Sequence, residues 1–115
     1  MQTVLLLENN EDLRLMLILY LRLENFQVIS AENGMTGLNL AKQIKPDLII
    51  SDVNMPEMDG YGVLKALRED LATAKIPFVF LTSISDMDKC AHAMELGADD
   101  YLTKPDDLSE MKGRD

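Results

Sequence analysis

Four short apolar runs in this 115-residue chain each end in residues that could do chemistry. Thr3–Leu7 is followed by Glu8 and Asn9, and Asp47–Ser51 by Asp52, with Asn54 two positions further on. Pro77–Leu81 is followed by Thr82 and Ser83, and Asp100–Thr103 by Lys104. Carboxylates, hydroxyls, amides and one lysine make a set suited to phosphoryl transfer onto a carboxylate. Asp52 is the candidate nucleophile, and a divalent cation is needed to screen its charge against the incoming phosphoryl group. Mg²⁺ suits such a set, because it takes oxygen ligands, keeps several waters and needs only one or two protein carboxylates. Lys104 offers the phosphate a point charge, and a hydroxyl such as that of Thr82 offers a hydrogen bond.

These residues can act together only if the fold brings the run ends to one rim. Runs of four or five apolar residues bounded by turn chemistry read as strands buried on both faces, and Phe26–Ser30 adds a fifth. Helical patterns fall between them at about 10–24, 34–44, 60–71 and 86–96, with a short remnant from about 107. Ser85 and Asp88 resemble a capping box, Gly97 sits where a left-handed residue ends a helix, and Asn33 is a candidate N-cap. Asn9 and Asn10 are candidate caps for the first helix. Strict strand–helix alternation demands parallel strands joined by crossover helices, hence an α/β sheet covered on both faces. Sites in such sheets form at the carboxyl ends of the strands, where the polar residues lie.

Composition narrows the class further. The length suits one domain spanning 1–115, and 47% hydrophobic with 27% charged residues fits a globular chain. A net charge of −9 argues against direct binding to nucleic-acid backbones and is compatible with a cation-gathering site. One cysteine (Cys90) and one histidine (His92) exclude a disulfide framework and a multi-cysteine zinc site, and both read as inert helix positions. The longest apolar run, Leu15–Leu21, is far short of the roughly 20 residues that span a bilayer. No signal-peptide pattern opens the chain, so the expected compartment is the cytoplasm.

The stretches Val4–Arg14, Pro46–Leu64, Pro77–Ser83 and Ala93–Pro105 together resemble the receiver (response-regulator) domain of two-component signalling. The most specific are DVNMPEMDG at 52–60 and GADDYLTKP at 97–105. The resemblance implies a flavodoxin-like three-layer sandwich with strand order 2-1-3-4-5. It implies that Asp52 accepts a phosphoryl group from a histidine kinase or a histidine phosphotransfer protein. It places Glu8, Asn9, Asp52 and the backbone carbonyl of Asn54 at a Mg²⁺ ion, and Thr82 and Lys104 on the phosphoryl oxygens. Tyr101 falls on the aromatic whose rotamer follows Thr82, and Lys104–Pro105 on a cis peptide bond.

The sequence departs from that family at three points. Asn9 stands where a second acid is usual, so weaker Mg²⁺ binding is expected. Asp106 follows Lys104–Pro105 where Phe is common, and only nine residues follow Asp106, so the fifth helix is expected to be short or truncated. An alternative reading is therefore a pseudo-receiver, the same fold kept as a binding or dimerisation module. A small metal-dependent phosphatase is disfavoured, because Asn54 cannot act as the added general acid. Finally, seven successive apolar residues from Leu15 to Leu21 put apolar side chains on every side of the first helix. Some of Leu15, Ile18, Leu19 and Arg22 must then face outward, as a surface for self-association or for docking a kinase.

Overall fold

The computed structural model describes residues 2–83 and 94–104. Its elements run β1 (Thr3–Leu7), α1 (Glu11–Leu23), β2 (Gln27–Ala31), α2 (Gly34–Ile44), β3 (Leu48–Asp52), α3 (Gly60–Glu69), β4 (Phe78–Thr82) and β5 (Asp100–Thr103). All four strand pairings are parallel, and the sheet order is β2-β1-β3-β4-β5. This is the expected α/β topology.

Alternation along the strands decides what each helix covers. Leu5, Leu7, Ile49, Phe78 and Phe80 pack with Leu38 and Ala41 of α2 and Val63, Leu64 and Leu67 of α3. The residues between them, Val4, Leu6, Ile50 and Leu81, pack with Leu13, Leu17, Ile18 and Leu21 of α1. The central strands are therefore apolar on both faces over most of their length, and each fully buried Leu or Phe contributes about 1.5–3 kcal/mol of transfer free energy. The edge strands differ from the expectation of double burial. Gln27 at one edge and Asp100 and Leu102 at the other are exposed, since an edge strand has a neighbour on one side only. A Cβ at Gly37 would collide with Leu7 Cδ2, so α2 lies against β1 as closely as a glycine permits.

Three strands are shifted one residue toward the C-terminus relative to the sequence pattern, so that β3 ends in Asp52 and β4 in Thr82. Ladder pairing continues through both residues, Asp52 opposite Leu81 and Thr82 opposite Thr103, although each is polar. The expected caps hold: Asn10 accepts from the Leu13 N–H at 3.0 Å and Asn33 from the Thr36 N–H at 2.8 Å. Gly97 takes φ +109° after Met94–Glu95, a conformation that L side chains rarely adopt. The rest of the expected fourth helix lies outside the described residues, with the expected Ser85–Asp88 capping box, Cys90 and His92. So do Asp106, the fifth helix and the Lys104–Pro105 bond.

On α1 the expected outward apolar face is present but sits slightly differently. Leu15, Leu19 and Leu23 are exposed together with Arg22, whereas Ile18 is half-buried against the sheet. Successive helix positions turn by 100°, which places 15, 19, 22 and 23 on one side and 13, 17 and 21 on the other.

Candidate functional site

At the carboxyl end of the sheet, a cavity of about 480 Å³ is lined by Glu8, Asn9, Asn10, Asp52, Val53, Asn54, Thr82, Ser83 and Lys104. Every residue that the sequence assigns to the metal and phosphoryl site meets there; Tyr101, assigned to the switch, does not line it.

Glu8 is the first residue after β1 and is completely buried. Its peptide is tied on both sides, because its N–H donates to the Ala31 carbonyl at 3.1 Å and its carbonyl accepts from Arg14 Nη1 at 2.9 Å. One carboxylate oxygen accepts the Asn10 N–H at 3.0 Å. The other, Oε1, has no aligned hydrogen bond among the described residues and faces the Lys104 ammonium 3.1 Å away. Burial pushes the Glu8 carboxyl above the usual carboxylate range, against the lowering effect of the Asn10 N–H.

Asp52 is only 5% exposed, and its Oδ2 lies 2.9 Å from Lys104 Nζ. One ammonium thus spans two buried carboxylates. The lysine reaches this place because β4 holds the backbone on which it rides: the Lys104 N–H donates to the Thr82 carbonyl. Burial alone would lower the lysine's pKa, but the Asp52 hydrogen bond and the two negative charges outweigh it and raise it. At an effective dielectric near 20, unit charges about 3 Å apart attract by about 5 kcal/mol before desolvation is subtracted.

The remaining residues form the rim. Asn9 and Asn54 are exposed and line the cavity. The capping alternative for the first helix resolves to Asn10, leaving the Asn9 side chain out of the cap. Beyond Asp52 the chain is turned back by the Gly60 N–H donating to Val53 O at 2.8 Å, with Glu57 at φ +70° within the loop. Thr82 is 2% exposed, and among the described residues its hydroxyl makes a long 3.4 Å contact to Ser83 O. Tyr101 pairs with Phe80 and is half-buried against the α2–α3 core. It therefore projects to the same sheet face as Thr82, two positions further along β4.

The donor set fits Mg²⁺. Glu8 Oε1, buried and held only by the Lys104 ion pair among the described residues, would with Asp52 supply two carboxylates, and the Asn9 amide and the Asn54 backbone carbonyl would supply neutral oxygens on the open side. No group of three or more His, Cys, Asp or Glu placed to hold a metal ion occurs among the described residues, and positions 9 and 54 are asparagines.

One supporting residue, the last of the matching Val4–Arg14 stretch, has no role assigned from the sequence. Arg14, whose side chain is 11% exposed, binds the Glu8 carbonyl and lies 3.6 Å from Glu32 Oε1. Its only trace in the sequence is that it is the single charge between Leu13 and Leu21.

The chain matches the response regulator receiver domain family over residues 4–114. It belongs to that family. It is 40% identical to a histidine kinase of Formosa agariphila over 97% of this chain and 8% of that protein. It is 36% identical to the DNA-binding dual master transcriptional regulator RpaA of Synechocystis, over 99% of this chain and 47% of that protein. The receiver domain thus spans less than half the length of either relative. Among solved structures it resembles a putative response regulator from Chloroflexus aurantiacus, with TM-score 0.87, 33% identity and coverage of 98% and 93% of the two chains. It also resembles the receiver domain of a sensor histidine kinase from Pseudomonas aeruginosa, with TM-score 0.83, 25% identity and coverage of 98% and 93%. That domain is described with a magnesium ion coordinated in its active-site cleft. Strand order and helix placement agree with these receiver domains.

Lys104→Met would leave Glu8 and Asp52 without the cation between them. Unfolding free energy at pH 7 should fall by about 2–3 kcal/mol, less than the cost of opening a fully buried pair because the lysine is partly exposed. Glu8→Gln in the same background should recover part of the loss. Urea unfolding checks both, and equal stability of Lys104→Met and wild type would show that the pairing is energetically idle.

Proposed function

We propose that this receiver domain is a phosphorylation-dependent signalling switch whose acceptor is Asp52. The observation that carries the reading is Lys104 Nζ within 3.1 Å of both Glu8 and Asp52, in a cavity also lined by Thr82, Asn9 and Asn54. An Asp52 carboxylate oxygen attacks the phosphorus of a phosphohistidine on a histidine kinase or histidine phosphotransfer protein. The P–N bond breaks, the imidazole leaves as the neutral base after taking up a proton, and an acyl phosphate remains. Lys104 moves from the Asp52 carboxylate to a phosphoryl oxygen, and the Thr82 hydroxyl gives up its long contact to donate to another. Glu8, Asn9, Asp52 and the Asn54 backbone carbonyl would hold Mg²⁺, which supplies charge neutralisation at the transferring group.

Phosphorylation adds about −1.5 to −2 charge at the rim, enough to draw Thr82 and Lys104 inward. Tyr101, on the face that Thr82 shares, follows, and the surface around the fourth helix and β5 changes. The domain is an acceptor that assists its own phosphorylation and dephosphorylation rather than an enzyme acting on a separate substrate. Its charge of −9 suits a regulatory module, with any DNA contact left to other parts of a longer protein. Among the described residues no helix is long and apolar enough to cross a membrane.

Asn9 favours a second reading, the pseudo-receiver, because it removes one charge from the cation site. Intact mass after incubation with a small phosphodonor and Mg²⁺ separates the two. One acid-labile phosphoryl group is expected on wild type and none on Asp52→Asn; no gain on wild type promotes the pseudo-receiver. Asn9→Asp should tighten Mg²⁺ binding several-fold, since a charge a few ångströms from the ion is worth about 1 kcal/mol or more at an effective dielectric near 20. Calorimetric titration with an unchanged or weaker affinity would show that position 9 faces away from the ion.

The phosphodonor docks on the exposed face that Leu15 and Leu19 form on α1, the helix that begins immediately after the cavity-lining Asn9 and Asn10. Leu15→Glu with Leu19→Glu should cut transfer from a phosphorylated donor protein at least tenfold and leave small-donor phosphorylation intact. Loss of both activities together would mean that the leucines support the fold, and retention of both would move the docking site elsewhere.

A further inference from the structure

The Glu8–Asn9 peptide unit sits between the two residues that the cation site takes from the β1–α1 turn. A peptide unit is planar, so fixing its carbonyl fixes the direction in which the following residue leaves. Here the Glu8 carbonyl accepts from Arg14 Nη1 at 2.9 Å, while the preceding peptide is fixed by the Glu8 N–H on Ala31 O at 3.1 Å. The Arg14 guanidinium is largely buried, at 11% side-chain exposure. Its contact with Glu32 is looser, at 3.6 Å to a carboxylate that is 76% exposed, and surface pairs of that kind contribute little. The bond to Glu8 is therefore the contact that accounts for bringing a charged side chain out of water.

We infer that Arg14 is a positioning residue for the cation site, holding the Glu8–Asn9 peptide so that the Glu8 carboxylate and the Asn9 amide face the cavity together. The inference rests on the reading of that cavity as a Mg²⁺ site. It matters more here than where a second acid stands at position 9, because a neutral amide is not drawn to the ion by charge and depends on being placed.

Two effects of Arg14 on Mg²⁺ have opposite signs, which makes the role measurable. A guanidinium near the site repels a cation, so on Coulomb grounds its removal tightens binding. Its removal also frees the peptide, so on positional grounds binding weakens. Groups that orient metal ligands are worth about 10–100-fold in affinity.

The test uses the whole chain with Arg14→Met, Arg14→Gln and Arg14→Lys, titrated with Mg²⁺ and followed by backbone amide shifts. Melting temperature and Asn10 amide exchange are recorded without metal. Arg14→Met should weaken Mg²⁺ binding about tenfold and speed exchange of the Asn10 N–H, which rests on the Glu8 carboxylate. Arg14→Lys, which keeps a donor for the carbonyl, should restore most of both. If Arg14→Met does not stay folded, Arg14→Gln, whose amide ends two bonds short of the Nη1 that reaches the Glu8 carbonyl, carries the same comparison without the charge. Tighter or unchanged binding in Met or Gln, with only the melting temperature lowered, overturns the inference and leaves Arg14 a structural residue. Absence of saturable Mg²⁺ binding by wild type overturns the cation-site reading instead, and Asn10 exchange in metal-free protein still shows whether Arg14 holds the turn.

Discussion

The ammonium of Lys104, held between the buried carboxylates of Glu8 and Asp52, is the contact around which this molecule is arranged. Two carboxylates without a cation could not share so dry a place, since the ionised forms would repel and lack water. Burying the lysine is equally unfavourable by itself. Each is tolerable because the others are there. The surrounding main chain is correspondingly well tied: the Asn10 N–H occupies one Glu8 oxygen, Arg14 and Ala31 fix the Glu8 peptide, and the Thr82 carbonyl holds the backbone of Lys104. An arrangement balanced in this way is also easily redirected. A divalent ion or a phosphoryl group entering the cavity competes directly for the charges that now satisfy one another.

That balance depends on strand ends lying side by side. The parallel order β2-β1-β3-β4-β5 puts the carboxyl ends of β1, β3, β4 and β5 in a row, so groups nearly the whole chain apart become neighbours. The core below sets their height. Leu5 and Leu7 are locked under α2, with Gly37 seated against Leu7, and Val4 and Leu6 under α1. At the opposite end of the sheet, Arg68 of α3 donates to the carbonyls of Ile76 and Gly97 and pairs with Asp99, whose carboxylate also accepts the Phe78 N–H. Those contacts fasten the entries to β4 and β5, the two strands that deliver Thr82 and Lys104.

The relatives place such a domain within much longer proteins, one a histidine kinase and one a transcriptional regulator. Asn9 leaves the rim of the cavity with one lysine against two carboxylates, so the local charges come closer to cancelling than they would with a third acid.

The alternation of apolar runs with amphipathic segments determined the fold class from the sequence alone, because parallel strands require crossovers and buried strands require apolar residues on both sides. The rim set of Glu8, Asp52, Thr82 and Lys104 was equally legible, since polar residues that interrupt buried runs stand out. Asn33 as a cap and Gly97 as a helix end followed from local backbone chemistry. Other features were decided only by tertiary structure. Asp52 and Thr82 belong to the strands rather than following them, because ladder pairing continues past the last apolar residue. Of two adjacent asparagines that both line the cavity, it is Asn10 that caps α1, a choice set by where the turn leaves β1. Ile18 is half-buried while Leu15 and Leu19 are exposed, although the three are indistinguishable by hydrophobicity, because the orientation of α1 on the sheet is fixed by Leu13, Leu17 and Leu21. Arg14 closes the matching Val4–Arg14 stretch, but its residue type alone assigns it no role. Only the folded turn supplies the Glu8 carbonyl that gives it a partner, since a hydrogen bond to a main-chain oxygen leaves no mark on residue type.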